Sequence, residues 1–255
     1  MIVKTKREID LLREGGRRLA KILYMVASEV KPGMRVSRLN QMAEDAIKEN
    51  GDRASFLGYK PEGFARPYPA SLCVSINDEA VHGIPNEGDK ILEEGDIVTL
   101  DMGLIHEEMF TDSAITVPVG EIDPIAQKLI EVTKKALDVG INEARAGKNV
   151  GSIGFAIEQY VKREGFVPAD DLGGHGLGLS VHEEPYVPNI GPRDRGPRLQ
   201  PGMVIAIEPI INEGSRRVYL DGDGFTFKTA DGKRSAQFEH SLVVTDDLPI
   251  ILTEL

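Results

Sequence analysis

Two carboxylates far apart in the chain, Asp101 and Glu208, share one sequence context. Each ends a segment, 94–101 or 201–208, in which a glycine-containing turn is followed by an apolar run of β type. An unpaired carboxylate buried at the end of an apolar strand is strongly unfavourable, so each acid needs a compensating basic side chain or metal ion. The repetition indicates that two halves of the chain face one site.

Two more acids, Asp112 and Glu239, each stand at the start of a second apolar strand. Four carboxylates that converge without cations would repel one another and have strongly raised pKa values, so two divalent ions are the economical explanation. His175 lies among glycines, which let the backbone approach a ligand closely. It is the fifth candidate ligand. Five ligands for two ions imply bridging carboxylates.

A pair of divalent ions activates water at neutral pH, which is the chemistry of a hydrolase. An oxygen-rich ligand set with one imidazole suits Co, Mn, Fe or Zn, and the residue types do not choose among them.

The remaining histidines differ in their surroundings. His82 lies in the motif VHGIP at 81–85, and His182 ends the glycine-rich segment that begins at 173. We expect His240 to point away from Glu239, because neighbouring strand residues face opposite sides. His106 lacks such a setting and is predicted to lie at the surface.

Periodic apolar residues predict helices at 9–30 and 36–50, the second capped by Ser37 and ended by Gly51. The pattern returns 114 residues later, with a further helix at 125–145 before it. Strands are predicted at 72–76, 97–105, 109–117, 176–182, 203–211 and 236–245. This order predicts an α+β fold with a central curved sheet and outer helices. We expect a single domain, 1–255, with pseudo-twofold halves of about 1–120 and 121–255.

Composition narrows the function classes. The 255 residues carry a formal net charge of −11, which argues against a nucleic-acid binder or an anionic-membrane binder. The N-terminal residues lack the apolar stretch of a signal peptide, and no run approaches the roughly 20 apolar residues of a membrane span. The lone Cys73 excludes an internal disulfide and fits a reducing compartment. The sequence predicts a cytoplasmic protein.

Eight short motifs together are more specific than any one of them. They are SIN at 75–77, VHGIP at 81–85, LD at 100–101, TD at 111–112, GHGLG at 174–178, HEEP at 182–185, IEP at 207–209 and SAQFEH at 235–240. With these motifs the chain resembles, over essentially its whole length, the type I methionine aminopeptidases. These are small metallopeptidases of the pita-bread fold, whose central sheet is antiparallel.

The resemblance implies a role for each candidate residue. Asp112 and Glu239 would bridge the two ions, and Glu208 would also carry the proton of the attacking water to the leaving amine. His182 would stabilise the oxyanion, and His82 would contact the substrate near the scissile amide. The implied metal ligands are Asp101, Asp112, His175, Glu208 and Glu239. The implied methionine pocket is formed by Phe56, Tyr59, Tyr68, Cys73 and Phe225.

Three features depart from the family pattern. Phe56 stands where a smaller residue, often cysteine, is expected, and Phe225 stands where tryptophan is common. The loop 59–68 is longer than usual.

The implied substrates are the N-terminal methionine peptides of nascent proteins whose second residue is small. A monomer with possible transient ribosome association is the family-based expectation.

Two alternatives stay open at this point. A prolidase or Xaa-Pro aminopeptidase of the same fold would use the same metals and recognise proline after the cleaved bond. A catalytically inactive pita-bread protein would serve as a peptide-binding module, although such proteins are expected to have lost ligands.

Overall fold

The structure is a computed structural model that describes Ile2 and residues 5–255. Its helices are α1 Lys6–Ser28, α2 Val36–Glu49, α3 Pro124–Glu143 and α4 Val150–Arg163. The first strands are β1 Arg53–Ala54, β2 Cys73–Ile76, β3 Glu79–Val81, β4 Ile97–His106, β5 Met109–Pro118, β6 Val167–Pro168 and β7 Gly173–Gly176. The later strands are β8 Glu183–Pro188, β9 Val204–Ile207, β10 Ile210–Asn212, β11 Val218–Leu220, β12 Phe227–Thr229, β13 Ser235–Gln237, β14 Glu239–Val243 and β15 Ile250–Ile251.

Local sequence explains where α1 and α3 begin. The Thr5 hydroxyl accepts from the Glu8 amide, and the Glu8 carboxylate accepts from the Thr5 amide, which together form a capping box. In α3 the Asp123 carboxylate accepts from two amides of the first turn, ahead of Pro124 at the first helical position. Both helices bury an apolar face in the main core.

The second helices, α2 and α4, show the internal repeat directly. Each begins after a glycine with positive φ, 82° at Gly33 and 86° at Gly147, which are 114 positions apart. Arg35 and its counterpart Asn149 each form an isolated bridge with a distant segment. The predicted Ser37 cap is wrong, because Arg35 is the N-cap residue and has no side-chain capping bond.

A nine-stranded sheet carries the residues of interest. Its path is β1-β4-β5-β14-β9-β7-β8, with β2 also paired to β4 and β15 to β14, and its pairs are antiparallel. The smaller sheets are β13-β10-β6 and β11-β12-β3. Helix α1 lies against β4 and β5. The predicted combination of a central antiparallel sheet and packed helices is confirmed; the boundaries 1–120 and 121–255 within one domain stay a prediction.

Three predicted strands have different bounds. The segment 177–182 is a loop between β7 and β8, because glycine and serine there leave it without a continuous apolar face. The predicted strands 203–211 and 236–245 are each interrupted, at 208–209 and at 238. Asp101 lies within β4, whereas Glu208 immediately follows β9, so the two sequence-matched acids are not equivalent in structure.

The surface assignment of His106 is wrong. Its side chain is 11% exposed, and Nδ1 lies 2.8 Å from Asp52 Oδ1. Gly15 makes room for it, since a Cβ at that position would lie 3.0 Å from the His106 Cβ. His240 does face away from Glu239, and its Nδ1 lies 2.8 Å from the Thr253 hydroxyl. Among the described residues, no helix is both long and apolar enough to cross a bilayer.

Candidate active site

Strand register places three carboxylates together. Asp101 of β4 and Glu239 of β14 both lie opposite Ala114 of the intervening β5, and Asp112 is two residues from Ala114 on the same strand. Residues two apart share a face, so the three side chains point to one side of the sheet. All three are buried, with exposed fractions of 6%, 2% and 4% for Asp101, Glu239 and Asp112.

Glu208 completes the carboxylate set from the next strand. Ile207 pairs with His240, so continuing the register by one residue brings Glu208 beside Glu239. The Glu208 backbone carbonyl accepts from the Asn189 side chain at 2.8 Å. Its Oε2 accepts from Gln237 Nε2 at 3.1 Å. Glu208 is therefore held by one hydrogen bond to its backbone and one to its side chain.

His175 reaches the acids through an irregularity in β7. The register between β7 and β8 shifts between Gly174 and Gly176, and such a bulge re-aims a side chain. Nδ1 of His175 donates to the Gly176 carbonyl at 2.9 Å, which leaves the Nε2 lone pair free. Nε2 lies 3.7 Å from Glu208 Oε1 and 4.0 Å from Glu239 Oε1.

The donor set fits a divalent metal. Ligand atoms of Asp112, His175 and Glu239 all lie within 4.8 Å of one another. The buried oxygens Asp101 Oδ1, Asp112 Oδ1 and Glu239 Oε1 have no hydrogen-bond partner. Within residues 5–255, no lysine or arginine pairs with these acids. Orphaned carboxylate oxygens without a basic partner are the expected appearance of metal ligands.

The protonation behaviour agrees with that fit. Burial raises the pKa of Asp101 to about 7. Burial is also the main reason that the pKa values of Asp112 and Glu208 lie well above their ordinary values, and the nearby Asp101 charge is the second reason. Burial, followed by the Asp112 charge, does the same for the pKa of Glu239. Burial, with His182 nearby, lowers the pKa of His175 to about 3, so its imidazole is neutral and able to ligate.

His182 lies at the exposed mouth of the site, on the loop between β7 and β8. Its ring centroid is 4.4 Å from that of His175, and its Nδ1 lies 3.0 Å from the Tyr59 hydroxyl. The Glu183 carboxylate orders the loop by accepting from the amides of Leu179 and Ser180 at 2.7 and 3.0 Å.

His82 approaches from the other half of the chain. Its backbone is in the left-handed region, with φ of 60°, and the following Gly83 passes close to β2, where a Cβ would lie 2.2 Å from the Val74 carbonyl oxygen. Burial, followed by the proximity of His182, lowers the pKa of His82 to about 4. The imidazole is therefore neutral at pH 7 and can donate or accept a hydrogen bond.

One cavity of about 70 Å³ contains every residue predicted for the site. The Tyr68 hydroxyl donates to the Gly83 carbonyl at 2.8 Å, and Phe225 packs edge-on against the Tyr68 ring with centroids 5.3 Å apart. Burial raises the pKa of the Cys73 thiol well above its usual value, so this cysteine is an uncharged wall residue. The cavity joins an aromatic pocket to the acids. The residues that the sequence predicted for the site and that line this cavity are Phe56, Tyr59, Tyr68, Cys73, His82, Asp101, Asp112, His175, His182, Glu208, Phe225 and Glu239.

Sequence reasoning missed three residues of the site. Pro61 and Phe64 line the same cavity, and Gln237 contacts Glu208. The alternation of strand side chains offered a signal for Gln237, since it stands two positions before Glu239. Phe64 had a weaker signal, as an aromatic residue in the long loop between two predicted pocket tyrosines. The individual catalytic and binding roles remain predictions.

Comparison with known proteins agrees with this arrangement. The profile of metallopeptidase family M24 matches residues 10–246. A methionine aminopeptidase of Aquifex aeolicus is 46% identical over 255 residues, covering 98% of each chain. Methionine aminopeptidase 1 of Bacillus subtilis is 43% identical over 255 residues, covering 100% of each chain. The crystal structure of methionine aminopeptidase from Thermotoga maritima has a TM-score of 0.94 and 35% identity, again covering 100% of both chains.

These similarities extend from end to end and confirm both the predicted pita-bread fold and the predicted resemblance. The chain therefore belongs to metallopeptidase family M24 and, within it, to the methionine aminopeptidases.

Proposed function

We propose that this protein is a metal-dependent aminopeptidase that removes the N-terminal methionine from proteins whose second residue is small. The observation that carries the proposal is the single cavity in which an aromatic pocket joins four carboxylates and His175. Full-length similarity to methionine aminopeptidases supports the substrate class.

We assign two divalent ions to the site, drawn from Co, Mn, Fe or Zn. Asp101, Asp112, His175, Glu208 and Glu239 would hold these ions, and Asp112 and Glu239 would be the two residues shared between them. When bound, the ions supply a water of lowered pKa and polarise the scissile carbonyl. The orphaned oxygens of Asp101, Asp112 and Glu239 support this ligand set.

Glu208 is the proposed general base. Its Oε2 accepts from Gln237, which orients the carboxylate that would take a proton from the attacking water and deliver it to the leaving amine. His82, neutral at pH 7, is placed to contact the substrate beside the scissile amide.

His182 is the proposed stabiliser of the oxyanion. The Tyr59 hydroxyl lies 3.0 Å from His182 Nδ1, and with this hydroxyl as the donor the ring hydrogen is on Nε2. An Nε2–H group at the mouth of the site can donate to the carbonyl oxygen as negative charge develops there.

Selectivity for methionine follows from the aromatic pocket. Phe56, Tyr68, Cys73 and Phe225 form an apolar cluster, and an apolar wall of the cavity suits the thioether side chain of methionine. We further propose that the substrates are nascent chains in the cytoplasm, that contact with ribosomes is transient, and that the enzyme is a monomer.

A peptide panel tests the proposal. Purified protein is loaded with Mn or Co, its metal content is measured, and it is given Met-Ala, Met-Pro and Ala-Pro peptides. We expect methionine release from the Met peptides only. Equal cleavage of Ala-Pro would indicate a prolidase, and absence of both metal and turnover would indicate a binding module.

A further inference from the structure

The long loop between Tyr59 and Tyr68 is closed at its base. The Tyr68 amide donates to the Tyr59 carbonyl at 2.8 Å, and the Gly58 amide donates to the Tyr68 carbonyl at 2.9 Å. Residues 60–67, which we call the strap, therefore leave and re-enter the cavity wall at adjacent points. The Phe64 amide donates to the Pro61 carbonyl at 3.2 Å and turns the strap back on itself.

The strap contacts Phe225, a pocket residue that is 4% exposed. The Phe64 ring lies 5.3 Å from the Phe225 ring between centroids, at an interplanar angle of 30°. The Arg66 guanidinium lies 5.4 Å from the centroid of the same ring. Aromatic pairs and cation–π pairs at these distances attract one another. Phe225 is therefore held by two strap residues that come from a different part of the chain.

Arg66 anchors the strap to two other loops. It forms an ion pair with Glu87, which follows the VHGIP motif, and it donates to the Asp223 carbonyl at 3.1 Å. The Asp223 carboxylate in turn accepts from the Phe225 amide at 2.8 Å. Arg66 thus connects the strap, the loop that carries His82 and the turn that carries Phe225.

We propose that the strap sets the length of side chain that the enzyme accepts at the substrate's N-terminal position. Phe64 is the specificity-determining residue, because its ring lines the cavity, and Arg66 is a positioning residue that acts through Phe225. The inference rests on the proposed aminopeptidase function and names residues that the resemblance to the family did not supply.

A fixed aromatic wall limits the side chain because a packed interior accommodates extra methylene groups poorly. Replacing Phe64 by a small residue enlarges the cavity beside Phe225. One methylene in an apolar pocket changes kcat/KM by roughly 10- to 200-fold. Ethionine, which is one methylene longer than methionine, is therefore the sharpest probe.

The test compares kcat/KM for Met-Ala-Ser and ethionine-Ala-Ser peptides in the metal-loaded wild type, Phe64→Ala, Arg66→Ala and Lys60→Ala. Lys60 is an exposed residue of the same strap and serves as the matched control. We expect Phe64→Ala to lower the preference for methionine over ethionine by about tenfold. Arg66→Ala should lower it by a smaller factor, and Lys60→Ala should retain the wild-type ratio.

The two proposals fail in different ways. A wild type that releases no methionine contradicts the aminopeptidase function. A wild type that releases methionine, combined with an unchanged ratio in folded Phe64→Ala, overturns the role of the strap. If Phe64→Ala does not fold, Phe64→Leu, which removes the ring but keeps apolar bulk, must show the same direction of change; an unchanged ratio there overturns the proposal equally.

Discussion

Gln237 Nε2 lies 3.1 Å from Glu208 Oε2, and the glutamine is 1% exposed. The Thr116 hydroxyl fixes the Gln237 backbone on both sides, donating to its carbonyl at 2.8 Å and accepting from its amide at 2.9 Å. A rigidly held neutral donor therefore orients the carboxylate proposed to carry the proton. A hydrogen bond to a charged group contributes roughly 1.5–3 kcal/mol.

Replacing Gln237 by leucine should lower kcat by about tenfold, because Glu208 loses the donor that fixes its orientation. KM should change little, since Gln237 is not among the residues that line the cavity. Steady-state kinetics on a Met-Ala peptide measure both constants. Gln127→Leu, on the exposed side of α3, is the control, and equal kcat values for the two variants would show that Gln237 does not position Glu208.

Tyr59→Phe removes the hydroxyl that lies 3.0 Å from His182 Nδ1 and keeps the ring that lines the cavity. Without that partner the imidazole loses the hydrogen bond that orients it, so we expect kcat/KM to fall by about tenfold, mainly through kcat. Tyr219→Phe, at a half-exposed residue of β11, should leave both constants unchanged. A Tyr59→Phe enzyme with wild-type kinetics would show that the Tyr59 hydroxyl does not orient His182 for catalysis.

Gly174→Ala should destabilise the protein and distort the site. An added Cβ would lie 2.2 Å from the Ala206 carbonyl oxygen, so β7 must move away from β9 and carry His175 with it. Overpacking of this kind costs about 1–3 kcal/mol of unfolding free energy. Chemical denaturation measures the loss, and Gly222→Ala, where a Cβ meets nothing within 4 Å, is the control. Equal midpoints for the two variants would contradict this packing.

In metal-free protein the stability contributed by the buried acids should fall as pH rises. Burial raises the pKa of Asp101 from 3.8 to about 7 in the folded state, so its protonated form contributes stability that is complete below pH 3.8 and is lost as pH rises toward 7. The raised pKa values of Asp112 and Glu239 act in the same direction. Thermal melts of chelated wild type and Asp101→Asn between pH 5 and 7.5 isolate the contribution of Asp101, because the lowered pKa values of His82 and His175 act in the opposite direction in both proteins. Added divalent metal should abolish this contribution, and a wild type whose stability relative to Asp101→Asn does not fall as pH rises would contradict the assignment.

The convergence of the four acids could be predicted from sequence because each acid follows or begins an apolar run, a pattern visible in the order of the residues. Strand geometry also indicates which side chains point the same way, since residues two apart in a strand share a face of the sheet. His106 shows the limit of this reasoning. Its burial depends on Gly15 and Asp52, which come from distant segments, and no local pattern links the three residues.

The aromatic lining of the cavity was harder to predict than the convergence of the acids. Aromatic residues such as Phe56 and Phe225 have the same local signature in a core as in a binding site, and resemblance to a family was needed to separate the two. Phe64 lies in a loop whose path depends on Arg66 and on its two distant partners, which are Glu87 and Asp223. Local sequence does not encode such contacts.

The central claim is that the buried acids and His175 form a metal centre that cleaves an N-terminal methionine. Free methionine released from a Met-Ala-Ser peptide, measured before and after chelation and again after metal is restored, tests it most directly. The account predicts release by the loaded enzyme, none after chelation, and recovery with added Mn or Co. It also predicts that Glu239→Gln lowers both the bound metal and the release. Undiminished methionine release by fully chelated enzyme would contradict the claim.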